Sequence, residues 1–216
     1  MAERGRIEAA PYEGAPHARV IGYLFQAFRR LFAGGGAAVC LDLPVHFDQT
    51  VPDHGALPDL IVALGRKPGP RSGFRVWEES GPPDVAIDVT SPSTALKDRM
   101  GSRALCQKGG VPELLSFDPL GGVLEMWQAT SAGYRHMTRE KGGHLPSRRL
   151  ELEFHLGPDR TAGGSPFTTL RVGRQGLVLV PPLGGEGDLE EILERDFLHG
   201  PPTARATRPH PRQNEP

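Results

Sequence analysis

The stretch PPDVAIDVTSPST, Pro82 to Thr94, decides how this chain is read. It looks like a buried strand running into a Ser/Pro turn, yet it carries two aspartates. Strand side chains alternate between faces, so Val85, Ile87 and Val89 form one apolar face. Asp84, Ala86, Asp88 and Thr90 form the other. A second short apolar run, PDLIVALG from Pro58 to Gly65, behaves the same way. Leu60, Val62 and Leu64 share one face; Asp59, Ile61 and Ala63 share the other.

If the two runs are neighbours in one sheet, Asp59 and Asp88 converge. Two ionised carboxylates in a half-buried place repel each other and lose solvation. A hard divalent cation relieves both costs, and Mg²⁺ takes one or two carboxylates plus water and substrate oxygens. The other reading is that each acid marks a strand end, since Asp after Pro, as in Pro58-Asp59 and Pro83-Asp84, is ordinary turn chemistry. Both readings stand at this level. Asp88 fits the second less well, because it lies four residues beyond Asp84 with apolar neighbours on both sides.

Upstream, Val20, Ile21, Leu24, Phe25, Phe28, Leu31 and Phe32 recur at steps of three and four, which predicts an amphipathic helix closed by Gly34-Gly35-Gly36. AAVCLDLPVHFD, Ala37 to Asp48, reads as a strand interrupted or ended near Pro44, and RKPGPRSG as a loop. Downstream, TALKDRMGSRALCQKGG reads as a helix closed by Gly109-Gly110, and VPELLSFDP as a strand. GGVLEMWQA with GYRHMTRE predicts a hairpin, and RLELEFHL a half-exposed strand. A further hairpin is expected in TTLRVGRQGLVLV, and a short helix over 188–198. The order of elements predicts an α/β fold around a mixed central sheet flanked by helices, with additional antiparallel strands.

The chain of 216 residues suits one domain plus extensions. Its 28 glycines and 22 prolines imply many turns, and residues 200–216 read as a disordered tail. A formal net charge of −1 argues against wholesale polyanion binding and leaves room for a local basic patch. Cys40 and Cys106 make no metal or disulfide pattern. Neither a secretory signal nor a membrane-spanning apolar run is visible, so a cytoplasmic protein is expected.

PPDVAIDVTSPSTALKDRMGSRALCQKGGVPELLSFDP, Pro82 to Pro119, together with the earlier PDLIVAL and the helix beginning near His17, resembles the Uma2 family. The resemblance covers roughly residues 14–156, with 1–13 as a lead-in and 157–199 as a C-terminal extension. Each piece is weak alone, and the combination in this order is fairly specific. Members are labelled restriction endonucleases and belong to the PD-(D/E)XK nuclease superfamily. The resemblance implies a restriction-endonuclease-like core and Mg²⁺- or Mn²⁺-dependent hydrolysis of DNA phosphodiester bonds. Asp59 matches the aspartate of the PD pair and Asp88 the second acid, where Glu is commoner. The Val89 carbonyl corresponds to one often found near the metal.

One position departs from the pattern. The lysine two residues after the second acid would fall at Thr90. The family commonly moves it to the following helix, at the place held here by Ser102; a tyrosine often found one turn later is Cys106. Arg99 lies about 60° round the helix from Ser102 and Arg103 about 100°, so Arg99 is the better substitute cation. Arginine can stabilise an oxyanion but cannot accept a proton. The resemblance therefore leaves two expectations: a DNA endonuclease, dimeric by analogy with its superfamily, or a catalytically degenerate fold acting as a nucleic-acid-binding or protein-interaction module. His17, Asp84, Asp98 and Glu113 read as surface, turn, helix-end and structural residues respectively; the alternatives are a place near the active site for His17, where family members often carry a histidine, and an acid supporting Asp88 for Asp84. Lys97 and Lys108 read as exposed helix-end charges. His46 and His54 make no metal-ligand spacing. Trp77 and Trp127 read as partial core or edge residues, with stacking on nucleic acid as the alternative.

Overall fold

A computed structural model describes residues 15–51, 55–90, 96–140, 143–160, 164, 166–175 and 177–178, all within one compact unit spanning Met1–Gly185. The expected lead-in, the SPST segment, His54, the 188–198 helix and the 200–216 tail lie outside the described residues. The elements in chain order are α1 (Ala15–Leu31), β1 (Ala37–Leu41), β2 (Val45–His46), β3 (Gly55–Ala56), β4 (Leu60–Leu64), β5 (Phe74–Arg75) and β6 (Val85–Val89). Then follow α2 (Leu96–Lys108), β7 (Glu113–Asp118), β8 (Val123–Thr130), β9 (Gly133–Met137), β10 (Leu145–Ser147), β11 (Leu152–Arg160), β12 (Pro166–Arg174) and β13 (Leu177–Val178).

The central sheet has the order β1-β4-β6-β7-β8-β9. All its neighbours are antiparallel except β6 and β7, which run parallel. A parallel pair needs a crossover, and α2 supplies it. The sheet is therefore mixed, as the element order predicts. Four antiparallel strands, β10 to β13, form a second sheet, and β3-β2-β5 a small third one. The predicted Ala37–Asp48 strand splits between sheets. Pro44 cannot continue the ladder, and Asp42 turns the chain with φ near 44°. The β3, β5 and β10 pieces are too short to show a period.

α1 forms because its apolar residues fall on one stripe: Val20, Leu24, Ala27 and Phe28 are completely buried. It touches β1, β4 and β6 of the central sheet and β12 of the second. Tyr23 Oη accepts the Val172 N–H at 3.1 Å, and Phe28 meets Phe154 edge-on. On α2's side, Ile61, Ala63, Ala86 and Leu114 pack with Cys106 and Val111. α2 ends in a reciprocal cap: Val111 N–H reaches the Cys106 carbonyl, Gly110 N–H reaches that of Gln107, and Gly110 takes φ +75°. That cap aims the chain directly into β7.

Candidate active site

The pairing of β4 with β6 is antiparallel, with Leu60 opposite Ile87 and Ile61 opposite Ala86. One step further along this register, Asp59 stands opposite Asp88 on the face that α2 covers. The expected adjacency of the two apolar runs thus holds, and side-chain alternation then sets both acids toward one place.

Asp59 is held from two sides. One carboxylate oxygen accepts the Val89 N–H at 2.6 Å, and the other lies 3.4 Å from His17 Nε2. Asp88 accepts a hydrogen bond from Ser102 Oγ at 2.9 Å, which ties α2 to β6. Burial, first of all, pushes the Asp88 carboxyl up to about 6; the Ser102 hydroxyl pulls it down and the Asp59 charge adds to the rise. His17 is raised above its usual value, chiefly by its hydrogen bond to Asp59, against the opposing effect of burial. The charges of Asp59 and Asp42 and a contact with the Val89 backbone add to that rise. Asp42 is also raised, by burial and then by Asp59. Its own N–H bonds the Asp59 carbonyl at 3.0 Å.

Behind Asp88 the groups are neutral. Burial pushes the Cys106 thiol up to about 12, with Asp88 adding to the rise, so this cysteine stays protonated and unreactive. The Tyr134 hydroxyl donates to the Val111 carbonyl at 2.9 Å and is likewise raised by burial, then by Cys106 and Asp88. Among the described residues, no lysine or arginine pairs with Asp59 or Asp88. Three carboxylates therefore share the site with one histidine.

Asp59, Asp88, Val89 and Ser102 thus come together. Arg99 lies in α2, and its side chain falls outside what is described. Arg103 instead sits over the Trp127 ring, 5.1 Å from its centroid. His17, for which the sequence left open a surface position at a helix start or a place near the active site, belongs to this cluster. So does Asp42, which sequence reasoning missed; the one available signal was an acid closing an apolar strand just before Pro44.

The other acids serve the fold. Asp84 is no turn residue: it is buried, accepts the Leu64 N–H at 2.7 Å and pairs with Arg149. Glu113 is buried at the start of β7. It accepts hydrogen bonds from Ser147 Oγ and from the Arg148 and Arg149 N–H groups, joining the central and second sheets.

The two facing carboxylates, Asp59 and Asp88, offer oxygen ligands. A hard divalent cation suits this set, and its charge would counter the burial and, after it, the Asp59 charge that raise the Asp88 carboxyl. Among the described residues no group of three or more His, Cys, Asp or Glu side chains is arranged to hold a metal. A cation here would therefore rest on two side chains and complete its shell with backbone, water or substrate oxygens, as Mg²⁺ commonly does. Among the described residues, no helix is long and apolar enough to cross a membrane.

A crystal structure described as a putative nuclease belonging to DUF820, from Anabaena variabilis, is similar over 62% of this chain and 73% of that one, at 17% identity and a TM-score of 0.49. No curated protein matches. The family model described as "Putative restriction endonuclease" matches residues 3–158, most of the chain, and both site acids fall inside that span. This protein belongs to the Uma2 family.

Proposed function

We propose that this protein is a Mg²⁺- or Mn²⁺-dependent endonuclease that hydrolyses phosphodiester bonds in DNA. The observation that carries this reading is the facing of Asp59 by a half-buried Asp88, with no lysine or arginine among the described residues to neutralise them. When bound, the cation supplies charge neutralisation at the phosphoryl oxygens and a more acidic water. Asp59, Asp88 and the Val89 carbonyl would hold it. The chain's own residues fix the ligands. Val89 N–H and His17 orient Asp59, and Ser102 orients Asp88. His17 holds Asp59 in place through its Nε2, 3.4 Å from the carboxylate. Arg99 is the proposed donor to the developing oxyanion in place of the family lysine. Two such sites would let both strands of a duplex be cut in one encounter, and we extend the proposal to a homodimer by analogy with the superfamily, tested by sedimentation.

A second reading keeps the fold as a binding module without catalysis. Ser102 favours it, since a hydroxyl stands where the family's positive charge belongs. A cleavage assay on plasmid DNA with Mg²⁺ and Mn²⁺ separates the two. Metal-dependent cleavage in the wild type that is lost in Asp88→Ala supports the enzyme. Arg99→Ala should then lower the rate on the order of 10²-fold, the size of one lost oxyanion contact. Background cleavage in the wild type that Ser102→Lys revives supports the module.

A further inference from the structure

We propose that Arg103, seated on the Trp127 indole, is a phosphate anchor that positions a nucleic-acid strand beside the Asp59/Asp88 site; the proposal rests on the nuclease reading above. The ladders place the two features on one face. Asp88, Ser116 and Glu125 stand in one row across β6, β7 and β8, and Ala86, Leu114, Trp127 and His136 in the next row on the same side. α2 covers this side, because Ser102 bonds Asp88 and Cys106 packs on Ala86 and Leu114. Arg103, the neighbour of Ser102, turns away from the carboxylates and lays its guanidinium over Trp127. The Trp127 ring in turn meets His136, with centroids 5.7 Å apart.

Among the described residues, this arrangement leaves a cation without a counter-ion. Among the described residues no carboxylate pairs with Arg103, although Glu125 stands close enough to pair with His136 at 3.7 Å. A stacked guanidinium spends its flat face on the ring and keeps its edge of N–H donors free. That edge fits two phosphate oxygens at once. Stacking also limits the rotamers that must be frozen on binding, so the fork is pre-organised. Strand spacing and rise put the Asp88 and Trp127 backbones about 12 Å apart. At roughly 3.4 Å per step along the duplex axis, that is a few base pairs from a scissile phosphate at the carboxylates.

The test uses the full-length chain in EDTA, so that binding is read without hydrolysis. Anisotropy of a labelled DNA duplex is measured from 50 to 200 mM salt. Removing one phosphate contact should lower the slope of log affinity against log salt by about 0.9. Arg103→Ala should therefore bind about eightfold more weakly at 0.1 M salt, the factor that slope implies. Arg103→Lys keeps the charge and should keep the slope. Trp127→Leu removes the seat and should weaken binding with the slope retained. A purely structural role for Arg103 would change melting temperature without changing the slope. If the wild type binds and Arg103→Ala matches it in slope and affinity, the anchor is overturned and the nuclease reading stands. If the wild type binds neither duplex nor single-stranded DNA, the anchor falls, and the cleavage assay with Mg²⁺ and Mn²⁺ decides the nuclease reading separately. Should Arg103→Ala fail to fold, Arg103→Gln gives the same reading with the side-chain stem kept.

Discussion

Replacing Asp88 by Asn should make the metal-free protein more stable, and more so at alkaline pH. The Asp88 carboxyl rises from 3.8 to about 6, mainly through burial. A group whose folded value is raised contributes stability that is fully present below its unfolded value and lost as pH climbs through the folded one. For Asp88 that window runs from about pH 4 to about pH 6. Roughly two pH units correspond to about 3 kcal/mol lost at pH 8, and about half of that at pH 5. Asn has no charge to desolvate, nearly the same shape, and a carbonyl that still accepts the Ser102 hydroxyl. For a chain of this size the gain amounts to a melting temperature about 6–12 °C higher at pH 8. Thermal melts of both proteins in EDTA at pH 5 and pH 8 measure it. Mg²⁺ tenfold above its Kd should then restore about 1.4 kcal/mol to the wild type and nothing to Asp88→Asn. An Asn variant less stable at pH 8, or stabilised equally at both values, would refute the account of a desolvated, unneutralised carboxylate.

Ser102→Ala removes a hydrogen bond that holds the Asp88 carboxyl down, so its titration midpoint should move further above 6, read by carboxyl carbon NMR; an unmoved midpoint would sink the role given to Ser102. His17→Ala should cost more stability at pH 6 than at pH 9, because a raised histidine stabilises the fold below its unfolded value and loses that effect as pH rises through its folded one. Equal losses in urea titrations at the two values would contradict the His17–Asp59 pairing. Arg149→Ala leaves the buried Asp84 with only the Leu64 N–H, and urea denaturation should show a loss of about 1–3 kcal/mol with the cleavage or binding behaviour of the folded protein unchanged.

The periodic parts of the fold were legible in the chain itself. α1 announces itself through a stripe at steps of three and four, and β4 and β6 through short apolar runs bounded by turn residues. α2 is marked by the Gly109-Gly110 cap. These are local patterns, because helix and strand periods act over a few neighbouring residues. Alternation also put Asp59 with Ile61 and Asp88 with Ala86 before any pairing was known. What alternation cannot supply is which strands meet and in what register. Only the tertiary structure set β4 antiparallel to β6, brought His17 from the start of α1 onto Asp59, and added Asp42 at a left-handed turn. Only the tertiary structure, too, separated the working acids from the structural ones. Asp84 and Asp88 share a face of one strand and read alike in sequence. Asp84 is neutralised by Arg149, 65 residues away, whereas Asp88 meets a serine hydroxyl and another carboxylate. The charge state of a buried acid depends on partners distant along the chain, and a linear pattern holds no record of them.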